Sequence, residues 1–266
     1  MVFRISVFLL LFATAVATIA QEQKLTGDDI IEKHLAAIGG REALTKIKTR
    51  VAIGTVRKED EPEAQFALMS EAPNRVSAVY IFRDYDLKII YDSKSAHIVP
   101  SMARQYSPIT AKFEEIAASG LMFNQMSLYN LLMAPDSGAK FETAGTKKIS
   151  GKLAYVVSVK PTKGSAMKMY FDAESFMWVR TDYGKVSFSR ELRGFTNDVV
   201  NQAGSEITID FYIETSDFRD VDGVKLPFKF EQVMTSPILR QKSVGTITGT
   251  IREYQHNIPI DPKMFQ

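Results

Sequence analysis

Residues 206–214 read EITIDFYIE, and this stretch decides the fold class. Its large apolar side chains recur at every second position, as Ile207, Ile209, Phe211 and Ile213. Successive side chains of an extended chain point to opposite faces, so these four share one face while the residues between them share the other. The stretch is therefore predicted to be a strand with one buried and one solvated face, as antiparallel sheets have.

The same period of two recurs along most of the chain on both sides of this stretch. It predicts strands at residues 51–57, 65–70, 75–83, 86–91, 96–100, 153–160, 166–172, 175–182, 185–192, 206–214, 225–234 and 243–254. Short polar breaks separate these strands, and Asp172-Ala173-Glu174 and Asp222-Gly223 are predicted hairpin turns. About a dozen strands with short connections form one large curved antiparallel sheet, whose apolar face must be covered.

Two parts of the chain have helical spacing instead. Thr26 can cap a helix whose first turn contains Asp28 and Asp29, and apolar residues then recur at helical spacing before a second short helix at 41–47. Residues 108–133 predict two inserted helices that meet at a glycine. The expected fold class is mainly β with α (α+β). Its curved antiparallel sheet forms an incomplete β-barrel, covered by the N-terminal helix and the two inserted helices.

The first twenty residues have the layout of a secretory signal peptide. One positive charge, Arg4, precedes an apolar run that ends in small residues around Ala17 and Ala20. A membrane anchor is the alternative, but the uncharged run from residue 5 to 20 is shorter than the roughly 20 residues that a spanning helix needs. We expect residues 1–20 to be removed and residues 21–266 to form one exported, periplasmic domain.

Charge and composition exclude several classes of protein. The chain has 33 basic and 31 acidic residues, a balance that does not suit a nucleic-acid binder, which normally carries a basic face. It contains no cysteine, so disulfides, thiolate metal sites and a cysteine nucleophile are absent. We expect no cofactor, no nucleic-acid partner and at most peripheral membrane contact.

The sequence contains little that indicates catalysis. The three histidines, His34, His97 and His256, have no metal-ligand spacing, and a structural or surface role is favoured for each. No G-x-S-x-G motif is present; residues 245–249 read GTITG, which favours a strand where a neighbouring backbone comes close. The acidic residues at 217–222 superficially resemble a calcium loop, but the following glycine is at the wrong position, so a hairpin is predicted.

A stripe of flexible apolar side chains follows one face of the second inserted helix. Its members are Met122, Met126, Tyr129 and Met133. Methionine packs around ligands of varied shape, so the stripe could line a binding site. A helix face that only packs on the core has the same pattern. The two interpretations overlap, because a helix that covers a curved sheet faces the space that a ligand would fill.

Four landmarks of the chain resemble a known family. They are DIIEKHLAAIGGREAL at 29–44, YFDAE at 170–174, DFRDVDGVKLP at 217–227 and NIPIDPKMF at 257–265. Together they resemble exported bacterial proteins of the outer-membrane lipoprotein-sorting (LolA/LolB-like) family. The resemblance implies an incomplete antiparallel barrel capped by helices, in which relatives bind or sense the acyl chains of lipoproteins. It also implies a non-enzymatic protein.

The leading hypothesis is a periplasmic binding or carrier protein for lipoproteins or lipid-like apolar ligands, which would be buried between sheet and helices. The predicted cavity residues are, from the helices, Phe113, Ile116, Leu121, Met122, Met126, Tyr129 and Met133, and, from the strands, Phe66, Leu68, Tyr80, Phe82, Ile207, Ile209, Phe211, Phe228 and Phe230. Acyl burial contributes roughly 0.8 kcal/mol per methylene, so one long chain could drive binding without polar chemistry.

Two other hypotheses stay open at this point. The same fold could serve as a regulatory or assembly module that contacts an envelope protein, and would then have a filled core and a large exposed apolar patch. A hydrolase assembled from distant residues, such as His97 with serine or aspartate groups, would need those side chains to meet in a cleft.

Overall fold

The computed structural model describes residues 25–59, 61–73, 75–83, 86–91, 96–100, 126, 138–160, 166–188, 207–235 and 245–266. Two helices come first, α1 at Gly27–Ala37 and α2 at Gly40–Lys46. The strands are β1 Thr49–Lys58, β2 Ala64–Glu71, β3 Arg75–Ile81, β4 Asp86–Tyr91, β5 Ala96–Pro100, β6 Lys140–Ile149, β7 Lys152–Lys160, β8 Met167–Asp172, β9 Trp178–Phe188, β10 Ile207–Val221, β11 Val224–Thr235 and β12 Gly245–His256. A 3₁₀ helix follows at Pro262–Phe265.

The described strands form one 12-stranded sheet in the order β5-β4-β3-β2-β1-β12-β11-β10-β9-β8-β7-β6. Every pairing is antiparallel. The pairing of β1 with β12 joins the first and last strands and thereby unites two meanders of consecutive neighbours. The predicted fold class, a mainly β chain with one open, curved antiparallel sheet, is confirmed.

Helix α1 begins where the sequence predicted it. The Thr26 hydroxyl accepts a hydrogen bond from the Asp29 amide, and the Asp29 carboxylate accepts one from the Thr26 amide at 2.9 Å. The hydrogen bonds from Thr26 hold the pKa of Asp29 below its ordinary value. The helix lies against β6 and β7, so closely that a side chain at Gly27 would meet the backbone of Phe141. Helix α2 contacts β11, so both helices pack against the sheet.

Strand β6 was missed by the sequence analysis. It lies at the edge of the sheet, where most of its side chains stay at least partly exposed and no buried apolar alternation is needed. A bulge also interrupts its period, because Thr143 pairs with Val157 while Gly145 pairs with Val156. Gly145 has a φ of +105°, a conformation that favours glycine.

The prediction of separate strands at 175–182 and 185–192 was wrong. A single strand, β9, runs through the predicted break, and residues 173–175 form the turn before it. Gly184, at a φ of +66°, absorbs a shift of register against β10 without ending the strand. Its amide donates to the Asp182 carboxylate at 2.9 Å. Residues 189–192 lie outside the described part of the chain.

Both predicted hairpin turns are confirmed. The Asp172 carboxylate accepts hydrogen bonds from the turn between β8 and β9, including the Ser175 amide at 2.8 Å. The acidic stretch at 217–222 belongs to the hairpin of β10 and β11, as predicted in preference to a calcium loop. There Asp220 accepts from the Gly223 amide at 3.1 Å, and Asp217 forms a two-bond pair with the Arg219 guanidinium.

The small residue at position 249 makes room for a neighbouring side chain rather than for a neighbouring backbone. Gly249 lies opposite Phe230 on β11, and a Cβ at Gly249 would overlap the Phe230 ring. The sequence predicted a close backbone at this position, whereas the structure has the ring of Phe230 over Gly249. The two inserted helices predicted within 108–133 lie outside the described residues, apart from Met126.

The apolar side of α1 carries one ionisable residue into the core. His34 is 4% exposed and packs its ring against Phe171 and Trp178, at centroid distances of 5.2 and 6.1 Å. Its Nδ1 lies 2.9 Å from the carbonyl oxygen of Phe176, to which the neutral ring donates. Burial lowers the pKa of His34 to about 4, because an imidazolium here would be desolvated.

We expect His34 to make the folded state less stable in acid. Between pH 6.5 and 4 the unfolded chain binds the proton that the folded chain excludes, so the stabilisation present above pH 6.5 is lost as the pH falls. The loss amounts to about 3 kcal/mol for a shift of this size. In His34→Gln this component of the pH dependence should disappear, as measured by urea unfolding across the range. Glu42→Gln, an exposed change on α2, is the control and should keep the wild-type slope.

Candidate functional site

The concave face of the sheet brings together every predicted cavity residue whose side chain is described. These are Phe66, Leu68, Tyr80, Phe82, Met126, Phe211, Phe228 and Phe230, and all belong to one buried apolar cluster. Ile207 and Ile209 lie in β10, as predicted, but their side chains are outside the description. Phe113, Ile116, Leu121, Met122, Tyr129 and Met133 lie outside the described residues. Ligand contact by this set stays a prediction.

Strand alternation explains why these side chains meet. In β2 and β3, Phe66 pairs directly with Tyr80, and their rings lie 5.0 Å apart between centroids. Phe230 reaches the same place from β11, with its ring centroid 5.2 Å from that of Phe66. Strands β2 and β11 lie on opposite sides of the paired β1 and β12, so the two halves of the sheet share this aromatic centre.

Polar groups on the concave face have partners inside the protein. Gln232 is 4% exposed and lies within 3.4 Å of the Tyr80 hydroxyl. The Tyr254 hydroxyl donates to the carbonyl oxygen of Pro227 at 2.6 Å. Burial raises the pKa of both tyrosines, so each phenol stays neutral at any ordinary pH. Sequence reasoning missed Gln232, although its inward position in the alternation of β11 was visible.

A buried arginine is the most unusual residue of this face. Arg50, on β1, is 3% exposed, and its Nε donates to Nε2 of His256 at 3.0 Å. One of its terminal nitrogens lies 3.4 Å from the carbonyl oxygen of Met126, the described residue of the predicted covering segment. Burial lowers the pKa of Arg50 to about 10, which leaves the guanidinium charged at neutral pH. Arg50 alternates in phase with the buried residues Ala52 and Val56 along β1, and this pattern could have indicated its inward position.

His256 connects this arginine to the surface. Its side chain is 3% exposed, and its Nδ1 lies 2.9 Å from the carboxylate of Asp222 in the turn between β10 and β11. A cavity of about 460 Å³ adjoins this pair, with α2 as its other wall. Burial, and then the charge of Arg50, hold the pKa of His256 below its ordinary value, while Asp222 opposes them. The sequence predicted a structural or surface role for this histidine.

The outer face of the sheet carries a second concavity, a cleft of about 590 Å³ beside the β6–β7 turn. Its walls include Leu153, which is 50% exposed, and the side chains of Glu214 and Lys229. The Glu214 carboxylate binds the Arg180 guanidinium at 3.0 Å and accepts a hydrogen bond from Ser150 at 3.3 Å. The negative charge of Glu214 is thus compensated within the protein.

Within the described part of the chain, no group of three or more histidine, cysteine, aspartate or glutamate side chains could hold a metal ion. His34 and His256 lie in separate surroundings, and the side chain of His97 is outside the description. None of the described helices is both long enough and apolar enough to cross a membrane.

Three solved structures share the fold along nearly the whole chain. They are an outer-membrane lipoprotein-sorting protein domain from Vibrio parahaemolyticus (9% identity; 90% of this chain and 95% of that chain; TM-score 0.52), a DUF1329 family protein from Desulfovibrio piger (10%; 90% and 95%; 0.52) and a LolA superfamily protein from Nitrosomonas europaea (10%; 91% and 98%; 0.52). No protein-family model matches the sequence, and no curated protein matches it. At these identities the likeness is one of fold, and the predicted LolA-like fold is confirmed.

The contact between Gly249 and Phe230 offers a test of the packing at the centre of the concave face. We expect Gly249→Ala to lower the free energy of unfolding by about 1–3 kcal/mol, because the added methyl group displaces the Phe230 ring from its cluster. In a Phe230→Leu background the same change should cost less, since the overlapping ring is gone. Urea unfolding of the four proteins in this double-mutant cycle measures the difference. If Gly249→Ala lowered the free energy of unfolding equally in both backgrounds, the result would contradict the contact.

Proposed function

We propose that the protein is an exported, periplasmic, non-enzymatic binding or carrier protein for lipoproteins or lipid-like apolar ligands. Residues 1–20 act as a cleaved signal peptide, and residues 21–266 form the binding domain. The acyl chain is buried against the concave face of the sheet, beside Met126.

One observation carries this proposal: aromatic and aliphatic side chains drawn from both halves of the sheet form one continuous buried apolar cluster. Two polar residues on this face, Gln232 and Tyr254, form hydrogen bonds to the protein itself. A ligand for such a surface is held by burial of methylene groups, at roughly 0.8 kcal/mol each, rather than by a set of polar contacts.

The likeness of fold to a lipoprotein-sorting domain and a LolA superfamily protein supports the same class of ligand. Fold alone leaves several functions open, and the apolar chemistry of the concave face favours this one. Met126 is fully buried and belongs to the same cluster as Phe66 and Phe230, as a covering residue should. Methionine adapts its shape easily, which suits a surface that must close over apolar chains of different form.

The experiment is native mass spectrometry of the protein purified from the bacterial envelope. We expect wild-type protein to show a reproducible added mass that matches a lipid or a lipidated protein. Met126→Asp should lose that mass, because an aspartate at this position would place an unpaired carboxylate against the bound chain. Met126→Leu keeps the position apolar and should retain the ligand.

Leu153→Asp is the matched control, since it makes the same change of chemistry at an exposed leucine beside the β6–β7 turn. It should retain the ligand fully. Circular dichroism establishes that each variant keeps its sheet. Wild-type protein that is consistently empty would contradict the proposal, as would a folded Met126→Asp that keeps the added mass. Empty protein that purifies with an envelope protein would instead favour the role of an assembly module.

A further inference from the structure

We propose that the turn between β6 and β7 is a docking surface for an anionic lipid bilayer. The surface consists of residues 147–153, the β6–β7 tip. None of these residues belongs to the buried cluster of the concave face, so the docking surface and the proposed ligand site are separate. The tip contacts the bilayer through lysine side chains and one exposed leucine.

Positive charge is concentrated at this end of the sheet. Residues 140–172, which span β6 to β8, contain seven lysines, no arginine and two acidic residues, which gives a net charge of +5. The whole chain has a net charge of only +2, so the rest of it is net negative. Three of the seven lysines, Lys147, Lys148 and Lys152, lie in the tip and are exposed. In the field of an anionic surface such a distribution turns the tip toward that surface.

The lysines of the tip are not consumed by contacts within the protein. Among the described residues, none of the three forms an ion pair with a carboxylate. Lys152 acts electrostatically on Asp172, but that carboxylate already accepts hydrogen bonds from the amide and the hydroxyl of Ser175. Glu174, in the same turn, is exposed and opposes part of the attraction to an anionic surface. Three cations therefore face one exposed opposing charge.

Strand pairing places lysines on both faces of the hairpin. Lys148 pairs with Leu153, so these two share one face, while Lys147 and Lys152 lie on the other. On that second face Nζ of Lys147 lies 5.9 Å from the centroid of the Tyr170 ring. Cations on both faces suit an end-on approach to a plane of anionic headgroups. Lysine, a hydrated point charge, fits such a diffuse field, whereas arginine is preferred for carboxylates at fixed positions in a protein interface.

Leu153 supplies the apolar part of the contact. It is 50% exposed and is one of two exposed large apolar side chains among the described residues. Tyr155 follows on the same face of β7 and stacks on Phe176, with ring centroids 5.7 Å apart, and Nζ of Lys33 lies 5.2 Å from the centroid of the Phe176 ring. Leucine, half-buried aromatic rings and lysines form the composition that suits a membrane interface, where the rings enter the headgroup region and the ammonium groups stay in water.

The tip is already held in one shape. Ser150 and Gly151 form its two-residue turn, with φ values of +47° and +84°, a turn that matches the twist of the paired strands. The Ser150 hydroxyl donates to the Glu214 carboxylate at 3.3 Å, and the Leu153 carbonyl oxygen accepts from the Ala173 amide at 2.9 Å. Little backbone freedom is therefore lost when the tip meets a surface.

The first test measures binding to lipid vesicles at neutral pH with protein purified from the bacterial envelope. We expect binding to vesicles of equal parts phosphatidylcholine and phosphatidylglycerol, and none to phosphatidylcholine alone. Raising the salt from about 0.1 to about 0.5 M should release the protein. Lys147→Gln, Lys148→Gln and Lys152→Gln combined should lower the affinity about 20-fold or more, because each lysine near an anionic surface contributes a factor of about five.

A second set of lysines in the same strands gives a matched control. Lys140, Lys160 and Lys168 are exposed residues of β6, β7 and β8 outside the tip. Changing all three to glutamine removes the same charge and should lower the affinity by less than about threefold, since these side chains lie farther from the surface. Circular dichroism establishes that both triple variants keep their sheet.

The second test locates the contact by fluorescence. The chain has one tryptophan, Trp178, which is 2% exposed and lies in the core. Leu153→Trp adds a tryptophan at the tip, whose emission should move to shorter wavelength on the anionic vesicles and be quenched by brominated acyl chains. Ile81→Trp, at the other exposed apolar residue, which is 46% exposed and lies on β3, should show neither change.

The results that would overturn the proposal are specific. They are an equal loss of affinity in the two lysine triples, an equal response of Leu153→Trp and Ile81→Trp, or absence of binding to the anionic vesicles. Protein that ignores the vesicles but binds an acidic envelope protein through the same lysines would also overturn it. Docking and the proposed function fail separately. The tip variants should keep the added mass in native mass spectra, because equilibrium occupancy of the concave face does not depend on how often the protein meets a membrane.

Discussion

The structure depends on one constraint: the twelve described strands form a curved antiparallel sheet whose apolar face must be shielded from water. Strand alternation directs Phe66, Tyr80 and Phe230 to the same side, and curvature then gathers them into one cluster. Helices α1 and α2 pack against the sheet, and Met126 lies in the same cluster. Folding and the proposed binding thus draw on the same surface, because both remove it from water.

The same constraint explains why the few buried polar groups matter. A charged guanidinium on an apolar face is costly unless hydrogen bonds hold it, and two of the three guanidinium nitrogens of Arg50 have such bonds, to His256 and to the Met126 carbonyl. His34, in contrast, is buried as a neutral ring that donates one hydrogen bond within the core. Two histidines with lowered pKa values therefore have different roles: His34 belongs to the packing of α1, and His256 connects the concave face to an exposed carboxylate.

Pattern reasoning succeeded wherever one face of a strand or helix was buried. The capping residues of α1, the strands that line the concave face and the two acidic hairpin turns were all predicted. It failed at β6, because an edge strand needs little buried surface and its bulge breaks the alternation. It also divided β9 at Gly184, since a glycine that absorbs a register shift resembles one that ends a strand.

The sequence by itself determined the fold class, because the period of two and the turn residues are local properties of the chain. It also predicted that Phe66, Tyr80, Phe211, Phe228 and Phe230 share the apolar face, since alternation along each strand is sufficient for that, but it missed Phe171, Trp178, Tyr183 and Tyr254 in the same cluster. Only the tertiary structure decided that Arg50, His256 and Asp222 come together. Arg50 and His256 are paired across the β1–β12 junction, and Asp222 reaches them from a different hairpin. No local pattern encodes such contacts, because they depend on how distant strands are joined and how the sheet curves.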